Sequence, residues 1–223
     1  MPLRHECKHE VNEGDLVVLR QRLSAVLPRD THAQGGSYRI RSLYFDTPRD
    51  KALREKLESV NNREKFRIRC YNDDYTNINL EKKVKTNGLG YKRKARLSAD
   101  QVQAILNGDI SWLVDTGNEL LGEFYVKMLL DRLEPKSIVD YTREPFTYEA
   151  GNVRVTLDTD IRTGLRSTDF LNPDIPTIPV KPGIAVLEVK WDEYLPEFIR
   201  KAVGLKGRRT TAFSKYAASR MYD

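Results

Sequence analysis

The feature that most restricts how this chain can fold is a set of short segments in which charged and apolar residues alternate. In the segment 65–71, Phe66, Ile68 and Cys70 fall on one face of an extended strand, because successive side chains of a strand point to opposite sides. The opposite face carries Lys65, Arg67, Arg69 and Tyr71. This period of two predicts a β-strand that buries one face and keeps charge on the other.

The same alternation recurs elsewhere, and each segment again has one charged face. Residues 79–85 place Asn79, Glu81, Lys83 and Lys85 on that face, and residues 92–96 place Lys92, Lys94 and Arg96 there. The other charged or polar faces are Arg4, Glu6, Lys8 and Glu10; Tyr141 and Arg143; Arg154, Thr156 and Asp158; and Glu188 and Lys190. The cations therefore form rows along several predicted strands instead of one basic tail.

Helical spacing, caps and turn residues complete the predicted secondary structure. Ser98 and Gln101 form a capping box, Pro135 is expected to end a helix, and Gly151-Asn152 is expected to join a hairpin. The predicted strands are 3–11, 38–46, 65–71, 78–85, 90–97, 136–148, 153–161 and 184–191; the predicted helices are 12–27, 50–57, 98–108, 118–133 and 196–203; and 165–183 is the one long loop. This order predicts a single α+β domain, 1–223, with an antiparallel sheet.

The composition excludes several classes of protein. The chain has 38 Lys+Arg and 32 Asp+Glu, so its net charge is only +6 and most charges are expected to cancel locally. No run reaches the roughly 18–20 apolar residues of a membrane helix, and the N-terminus has no apolar secretion signal. Cys7 and Cys70 are too few for a disulfide framework. We therefore expect a reduced, cytoplasmic protein in which any metal is Mg²⁺ or Mn²⁺ held by carboxylates.

Two interpretations of the charged faces compete. Each face could simply point to solvent, since Lys, Arg and Glu are common surface residues. However, cations opposite cations on paired strands are destabilising, which makes sense if an anion lies between them. The carboxylates on the same faces, which would suit a divalent cation, are Glu6, Glu10, Glu81, Asp158 and Glu188. Together these residue types favour a site for a metal and a polyphosphate.

An antiparallel β-barrel tunnel with helices packed outside can present such a lining. The polar rows would then point inward. The apolar faces would bury against the helices; they include Phe66, Ile68, Leu187, Val189 and Trp191. This arrangement is the reverse of the usual barrel, in which apolar side chains fill the interior. It requires Arg67, Arg69, Lys83 and Glu188 to lie inside.

A set of short motifs, in order along the chain from 4 to 216, resembles a known family. The motifs are Arg4-x-Glu6-x-Lys8, YFDTP at 44–48, FRIR at 66–69, Leu80-Glu81-x-Lys83, Lys94-x-Arg96, Tyr141-x-Arg143, RVTLD at 154–158, LEVK at 187–190 and FSKY at 213–216. They resemble the catalytic domain of the vacuolar transporter chaperone (VTC) polyphosphate polymerases, which belong to the triphosphate tunnel metalloenzyme superfamily.

The resemblance implies a tunnel that binds triphosphate and a divalent metal, Mn²⁺ or Mg²⁺, and that transfers the γ-phosphate of ATP onto a polyphosphate chain. The implied phosphate-binding, catalytic residues are Lys8, Arg67, Arg69, Lys83, Lys94, Arg143 and Lys215. Further substrate-binding candidates are Arg154, Lys190, Lys85 and Arg96, with Tyr141 and Ser214 in support. Glu188 matches the metal-ligating carboxylate, and Glu6, Glu81 and Asp158 are lesser candidates.

Other activities remain open at this point. The first strand has Glu6-x-Lys8-x-Glu10 where the superfamily more usually has Glu-x-Glu-x-Lys, and neither a regulatory domain nor membrane helices are expected in this chain. The alternatives to polymerisation are an inorganic triphosphatase and a non-catalytic module for polyphosphate or another anion. Nucleic acid is not expected as a partner, because Tyr71 and Tyr91 alone offer bases an aromatic surface on the basic strands. Tyr141 could equally be a packing residue, and Ser214 a helix-region hydroxyl.

Overall fold

The computed structural model describes residues 4–205 and 207–221. Its strands are β1 (His5–Asn12), β2 (Tyr38–Asp46), β3 (Arg63–Tyr71), β4 (Asp74–Thr86), β5 (Leu89–Leu97), β6 (Glu134–Tyr148), β7 (Val153–Thr163), β8 (Ile178–Pro179) and β9 (Ile184–Trp191). Its helices are α1 (Glu13–Val26), α2 (Lys51–Leu57), α3 (Ala99–Leu106), α4 (Trp112–Asp115), α5 (Glu119–Leu130), α6 (Glu197–Val203) and α7 (Lys215–Ser219).

One antiparallel sheet forms the framework, in the order β1-β9-β7-β6-β2-β3-β4-β5, with the short β8 paired to β7. The sheet curls until its first strand approaches its last, where Arg4 and Gly90 form an isolated bridge. An ion pair of 2.8 Å between Glu6 and Lys83 also crosses this seam. The prediction of an α+β antiparallel tunnel with helices outside is confirmed.

The outer face of the sheet packs against helices in two apolar cores. One core joins β3, β4 and β5 to α3 and α5, and it includes Phe66, Ile68 and Phe124. The other joins β1, β7 and β9 to α1 and α6, and it includes Leu187 and Val189. Because these apolar faces are covered from outside, the charged faces of the same strands line the inner, concave side.

The helix caps follow the sequence signals, with one exception. Asn12 with Asp15 and Ser98 with Gln101 form capping boxes at the starts of α1 and α3. Pro135 was expected to end the helix before it, and this prediction is wrong. The helix α5 already ends at Leu130, and Pro135 lies inside β6, next to a register shift in the pairing with β2 where a missing N–H is tolerated.

Other differences between the predicted and observed elements occur where the sequence has few turn or cap residues to mark a boundary. The strand β4 begins at Asp74, not at 78, because Asn72 and Asp73 both have positive φ (51° and 54°) and form a tight turn after β3. The predicted loop 165–183 contains β8, and α4 was not expected. The buried Arg41 anchors this loop, because it pairs with Asp140 and also donates to the carbonyl oxygens of Asn172 and Pro173.

A third apolar cluster lies on the inner face, around α7. The ring of Tyr216 stacks on Tyr44 of β2 with centroids 5.1 Å apart, and its hydroxyl donates to Asp46 at 2.8 Å. The cluster also contains Tyr38, Ile40, Val139, Tyr141, Ile161 and Val186. The interior is therefore polar only in part, and α7 covers the apolar part.

Cys7 and Cys70 are both free thiols, as the composition suggested. Within residues 4–205 and 207–221, we find no helix with the length and apolar character needed to span a bilayer.

Candidate functional site

The inner face divides into two charged surfaces that meet at the seam. We call the inner surface of residues 63–69 of β3, 79–85 of β4 and 90–96 of β5 the basic wall; its charged residues are Arg63, Lys65, Arg67, Arg69, Glu81, Lys83, Lys85, Lys92, Lys94 and Arg96. We call the surface of β1, β9, β7 and β6 the mixed wall; its charged residues are Glu6, Lys8, Glu10, Arg143, Arg154, Asp158, Glu188 and Lys190. Strand register fixes these sets, because directly opposed residues share a face.

Strand pairing on the basic wall opposes like charges, as the alternation predicted. Lys83 lies opposite Lys65 on one side and Lys92 on the other. Glu81 lies between Arg67 and Lys94 in the neighbouring row. Among the charged residues of the basic wall, Glu81 is the one carboxylate, so the wall carries a large excess of positive charge.

Glu81 is the centre of the basic wall and is 3% exposed. It accepts hydrogen bonds from Arg67 Nε at 2.8 Å and Nη2 at 2.6 Å, and from Lys92 Nζ at 2.6 Å. Arg69 Nη1 is 4.0 Å away. Burial by itself raises the pKa of Glu81, but Arg67, Arg69 and Lys92 outweigh it and hold that pKa well below its usual range.

Neutral hydroxyl groups accept hydrogen bonds from Arg67 and Arg69 and so fix the orientation of both guanidinium groups. Arg67 Nη1 donates to the hydroxyl of Tyr44 at 3.1 Å. Arg69 Nη2 donates to the hydroxyl of Tyr141 at 3.0 Å, and its Nε donates to Ser42 Oγ at 2.9 Å. Tyr141 was a predicted support residue. Tyr44 and Ser42 were not, although the YFDTP motif contains Tyr44.

Two carboxylates and three lysines meet at the seam. Lys8 Nζ lies 2.5 Å from Glu6 and 3.1 Å from Glu188, and Glu188 also pairs with Lys190. Glu6 reaches Lys83 across the seam. Burial opposes the charged form of Glu188, but Lys190 and Lys8 hold its pKa well below the usual value. Burial and the nearby Lys8 lower the pKa of Lys83 to about 7.

Asp158 organises the other end of the mixed wall. Arg143 donates to it from Nε at 2.6 Å and Nη2 at 2.7 Å, and Lys215 Nζ of α7 donates at 2.5 Å. Lys215 Nζ also lies 4.5 Å from the centroid of the Tyr141 ring. The structure therefore brings together predicted residues from β6, β7 and the C-terminal helix.

Two of the predicted substrate-binding residues, Arg154 and Ser214, make their contacts outside the central clusters of the two walls. Arg154 donates to the Tyr38 hydroxyl at 2.8 Å and pairs with Asp30 at 2.9 Å, at the edge of the mixed wall. Ser214 Oγ accepts a hydrogen bond from the Ala217 N–H at 3.3 Å and so caps α7. This helix-cap role matches the simpler interpretation of Ser214.

An open cavity of about 350 Å³ lies at the β5 end of the basic wall. Its lining residues are Tyr71, Asn77, Asn79, Glu81, Lys92, Lys94 and Arg96. Arg96 donates to the carbonyl oxygen of Thr76 at 2.7 Å. Lys94 is exposed to the cavity, and neither it nor Lys85 makes an ion pair within the part of the chain that the structure describes.

Two buried polar atoms on β7 have no hydrogen-bond partner among the described residues. They are Thr156 Oγ1 and Arg154 Nε. Thr156 is 2% exposed and lies directly opposite Glu188. Sequence patterns placed Thr156 on the correct face but gave no reason to select it, because a threonine on a strand is common.

The donor set allows a metal at one place better than at the others. Glu81, Asp158, Glu188 and Glu6 all contact cationic side chains, but Glu188 and Glu6 lie close enough to share Lys8. Glu188 also lies opposite Thr156, whose hydroxyl has no partner among the described residues. No cluster of three or more Asp, Glu, His or Cys suited to a metal occurs in the described residues. Mg²⁺-type ions need only one or two carboxylates when substrate phosphates supply the other ligands, so Glu188 and Glu6 fit such an ion.

Comparisons with known proteins agree with this geometry. A model of the VTC domain family matches residues 3–222. A search of curated proteins found no match. Among solved structures, HpAC1 from Hippeastrum, a candidate adenylyl cyclase described as having a dominant triphosphatase activity, has a TM-score of 0.55 and 16% identity, covering 98% of this chain and 95% of its own.

Two further structures are similar. PH1012 from Pyrococcus horikoshii OT3 has a TM-score of 0.53 and 14% identity, and the match covers 95% of this chain and 96% of that one. A candidate adenylate cyclase from Bacillus halodurans has a TM-score of 0.50 and 16% identity, with 90% and 86% covered. At these identities the likeness establishes the fold.

Proposed function

The chain belongs to the VTC domain family and has the triphosphate tunnel fold, and from this premise we propose that it is an ATP-dependent polyphosphate polymerase. The observation that carries the proposal is the excess of cations on the basic wall, where Glu81 faces Arg67, Arg69, Lys92 and Lys94. An anion with several charges along its length would neutralise such a row.

The reaction needs no protein nucleophile. A terminal phosphate oxygen of the acceptor chain attacks the γ-phosphorus of ATP and forms a new P–O–P link. The bond from the γ-phosphorus to the oxygen it shares with the β-phosphate breaks, and ADP leaves with that oxygen. Arg67 and Arg69 are placed to stabilise the charge on the phosphoryl oxygens, because their partners already fix both guanidinium groups.

A divalent ion would be held by Glu188 and Glu6 together with phosphate oxygens. When bound, such an ion neutralises phosphate charge and polarises the oxygens that it binds. Lys8 and Lys190 keep both carboxylates ionised, since the pKa of Glu6 and that of Glu188 are held below their usual values despite burial. Ionised carboxylates are the form that a metal requires.

The direct test is incubation of the purified protein with ATP and Mn²⁺, followed by gel analysis of chain length and by measurement of ADP. We expect long-chain polyphosphate and an equal release of ADP per phosphate added. A matched reaction with Arg67→Ala controls for contaminating enzymes. Binding of polyphosphate without any turnover would overturn the polymerase and leave a non-catalytic binding module.

An inorganic triphosphatase is the second candidate. The described activity of HpAC1 favours it, and water in place of the acceptor phosphate would convert the same site to hydrolysis. Incubation with tripolyphosphate separates the two candidates. Rapid release of orthophosphate from tripolyphosphate, with no polymer formed from ATP, would support the triphosphatase and contradict the polymerase.

A further inference from the structure

Lys65 is an inner-face cation that neither the motifs nor the ion pairs of the site account for. It lies directly opposite Lys83 and two residues before Arg67, so its side chain shares the basic wall with both. No carboxylate within the described residues forms an ion pair with it. Its contact is the ring of Tyr44, whose centroid lies 5.4 Å from Lys65 Nζ.

The surroundings of Lys65 leave its charge unbalanced. Tyr44 faces it from β2, Arg67 from its own strand and Lys83 from β4, while Lys8 and Glu6 act on it from β1. Burial lowers the pKa of this ammonium group to about 8. A partly desolvated cation among other cations is costly unless a counter-ion is supplied. Since Glu6 acts on Lys65 only at a distance and no described carboxylate forms an ion pair with it, a bound anion is the natural source.

The position of Lys65 extends the row of arginines. Lys65, Arg67 and Arg69 follow one another at every second residue of β3, and four residues of a strand span about 13 Å. This length exceeds that of three linked phosphates. Beyond Lys65, Lys56 of α2 lies within electrostatic reach of Arg63 and Lys85, and burial and these cations lower the pKa of Lys56.

We propose that Lys65 is an additional phosphate-binding residue, which contacts the part of a polyphosphate chain that lies beyond the phosphates held by Arg67 and Arg69. The site therefore prefers long chains to tripolyphosphate. This inference rests on the proposed function, because it assumes that Arg67 and Arg69 bind phosphates. It adds a length preference that a site built for triphosphate alone does not need.

The test compares the binding of tripolyphosphate and of a long-chain polyphosphate by titration calorimetry. The variants are Lys65→Met, the conservative Lys65→Arg, and Lys201→Met, which removes an exposed cation from α6 and matches the net charge. We expect Lys65→Met to weaken long-chain binding about 10-fold or more. Tripolyphosphate binding should change less than about 3-fold. Lys65→Arg and Lys201→Met should both keep the wild-type preference.

Each other outcome overturns the inference. Equal losses for both ligands in Lys65→Met would mean that Lys65 acts on the triphosphate region or on the fold, and circular dichroism spectra would separate these two causes. Unchanged binding of both ligands would remove Lys65 from the site while leaving the proposed function intact. If the wild-type protein bound neither ligand, the proposed function itself would fail.

Discussion

The two walls of the tunnel belong to one curled sheet but balance their charges differently. On the mixed wall, each cation with a central position has a nearby carboxylate: Lys8 and Lys190 share Glu188, and Arg143 binds Asp158. On the basic wall, several cations share Glu81, and Lys65, Lys85 and Lys94 have no ion pair in the described residues. The mixed wall is thus neutralised from within, whereas the basic wall keeps an excess of positive charge. We infer that the first holds a metal and the second holds phosphates.

Glu188→Gln tests the role of the mixed wall, and it should reduce activity more than any other proposed variant. Loss of this buried carboxylate removes the stronger candidate ligand, so we expect metal-dependent turnover to fall by about 100-fold or more. Metal-free binding of tripolyphosphate should stay the same or strengthen, because a negative charge is lost. Turnover and calorimetry measure the two effects.

Glu10→Gln is the matched control for this variant. Glu10 lies on the same strand face but pairs with Lys181 at the edge, outside the central cluster. It should retain turnover close to that of the wild type. Normal metal-dependent turnover in Glu188→Gln would remove Glu188 from the metal site.

Arg67→Ala and Arg69→Ala test the basic wall and should have the next largest effects. Each loses a charge-assisted contact to phosphate worth roughly 1.5–3 kcal/mol, which is about 10- to 150-fold in affinity. The measurement is the dissociation constant of tripolyphosphate without metal. Arg93→Ala is the control, because Arg93 lies on the outer face of β5 and pairs with Glu119 and Glu123. The division of roles is wrong if all three variants bind equally well.

Tyr44→Phe and Tyr141→Phe should have smaller effects of similar size. Each removes one hydrogen-bond acceptor behind an arginine but keeps the ring, at a cost of about 0.5–1.5 kcal/mol, or roughly 2- to 13-fold in triphosphate affinity. The Tyr44 ring still stacks on Tyr216, so the melting temperature should change little. A larger loss of stability than of affinity would make these tyrosines packing residues.

The smallest expected effect is a pH dependence that comes from Lys65. Its pKa in the folded protein is about 8, below the ordinary 10.5, so it loses charge as pH rises from 7 to 9 and long-chain polyphosphate should bind more weakly. Between about 8 and 10.5 the unfolded chain holds more protons at this residue, so the ligand-free fold gains stability as pH rises.

Calorimetry and thermal melting across this pH range measure both trends. Lys65→Met should weaken both trends, because Met carries no titrating charge; the remaining pH dependence comes from neighbours such as Lys83, whose pKa is about 7. If the profiles of Lys65→Met and the wild-type protein coincide, Lys65 is not the group responsible.

The sequence predicted the faces of the strands well, because a period of two is a local property. It placed Arg67, Arg69 and Glu188 on the inner side, and it predicted the capping box of Ser98 and Gln101. The partition of acids between two walls depends on which strands become neighbours. The pairing of β1 with β9, and of β2 with both β3 and β6, joins residues far apart in sequence.

Some residues and element boundaries were not predicted because their roles depend on neighbours in the folded structure or on unusual turn residues. Tyr44 and Thr156 occupy ordinary strand positions, and their importance appears only when Arg67 and Glu188 are placed beside them. The turn at Asn72-Asp73 lacks the glycine that usually marks such turns, so β4 was expected to start too late.

The most direct test of the two-wall account is a crystal structure of the protein with Mn²⁺ and tripolyphosphate, with anomalous diffraction to locate manganese. We expect the manganese peak beside Glu188 and Glu6, and the phosphates along Arg67 and Arg69. Manganese bound at Glu81, or phosphates held by the mixed wall with the basic wall left bare, would contradict the account.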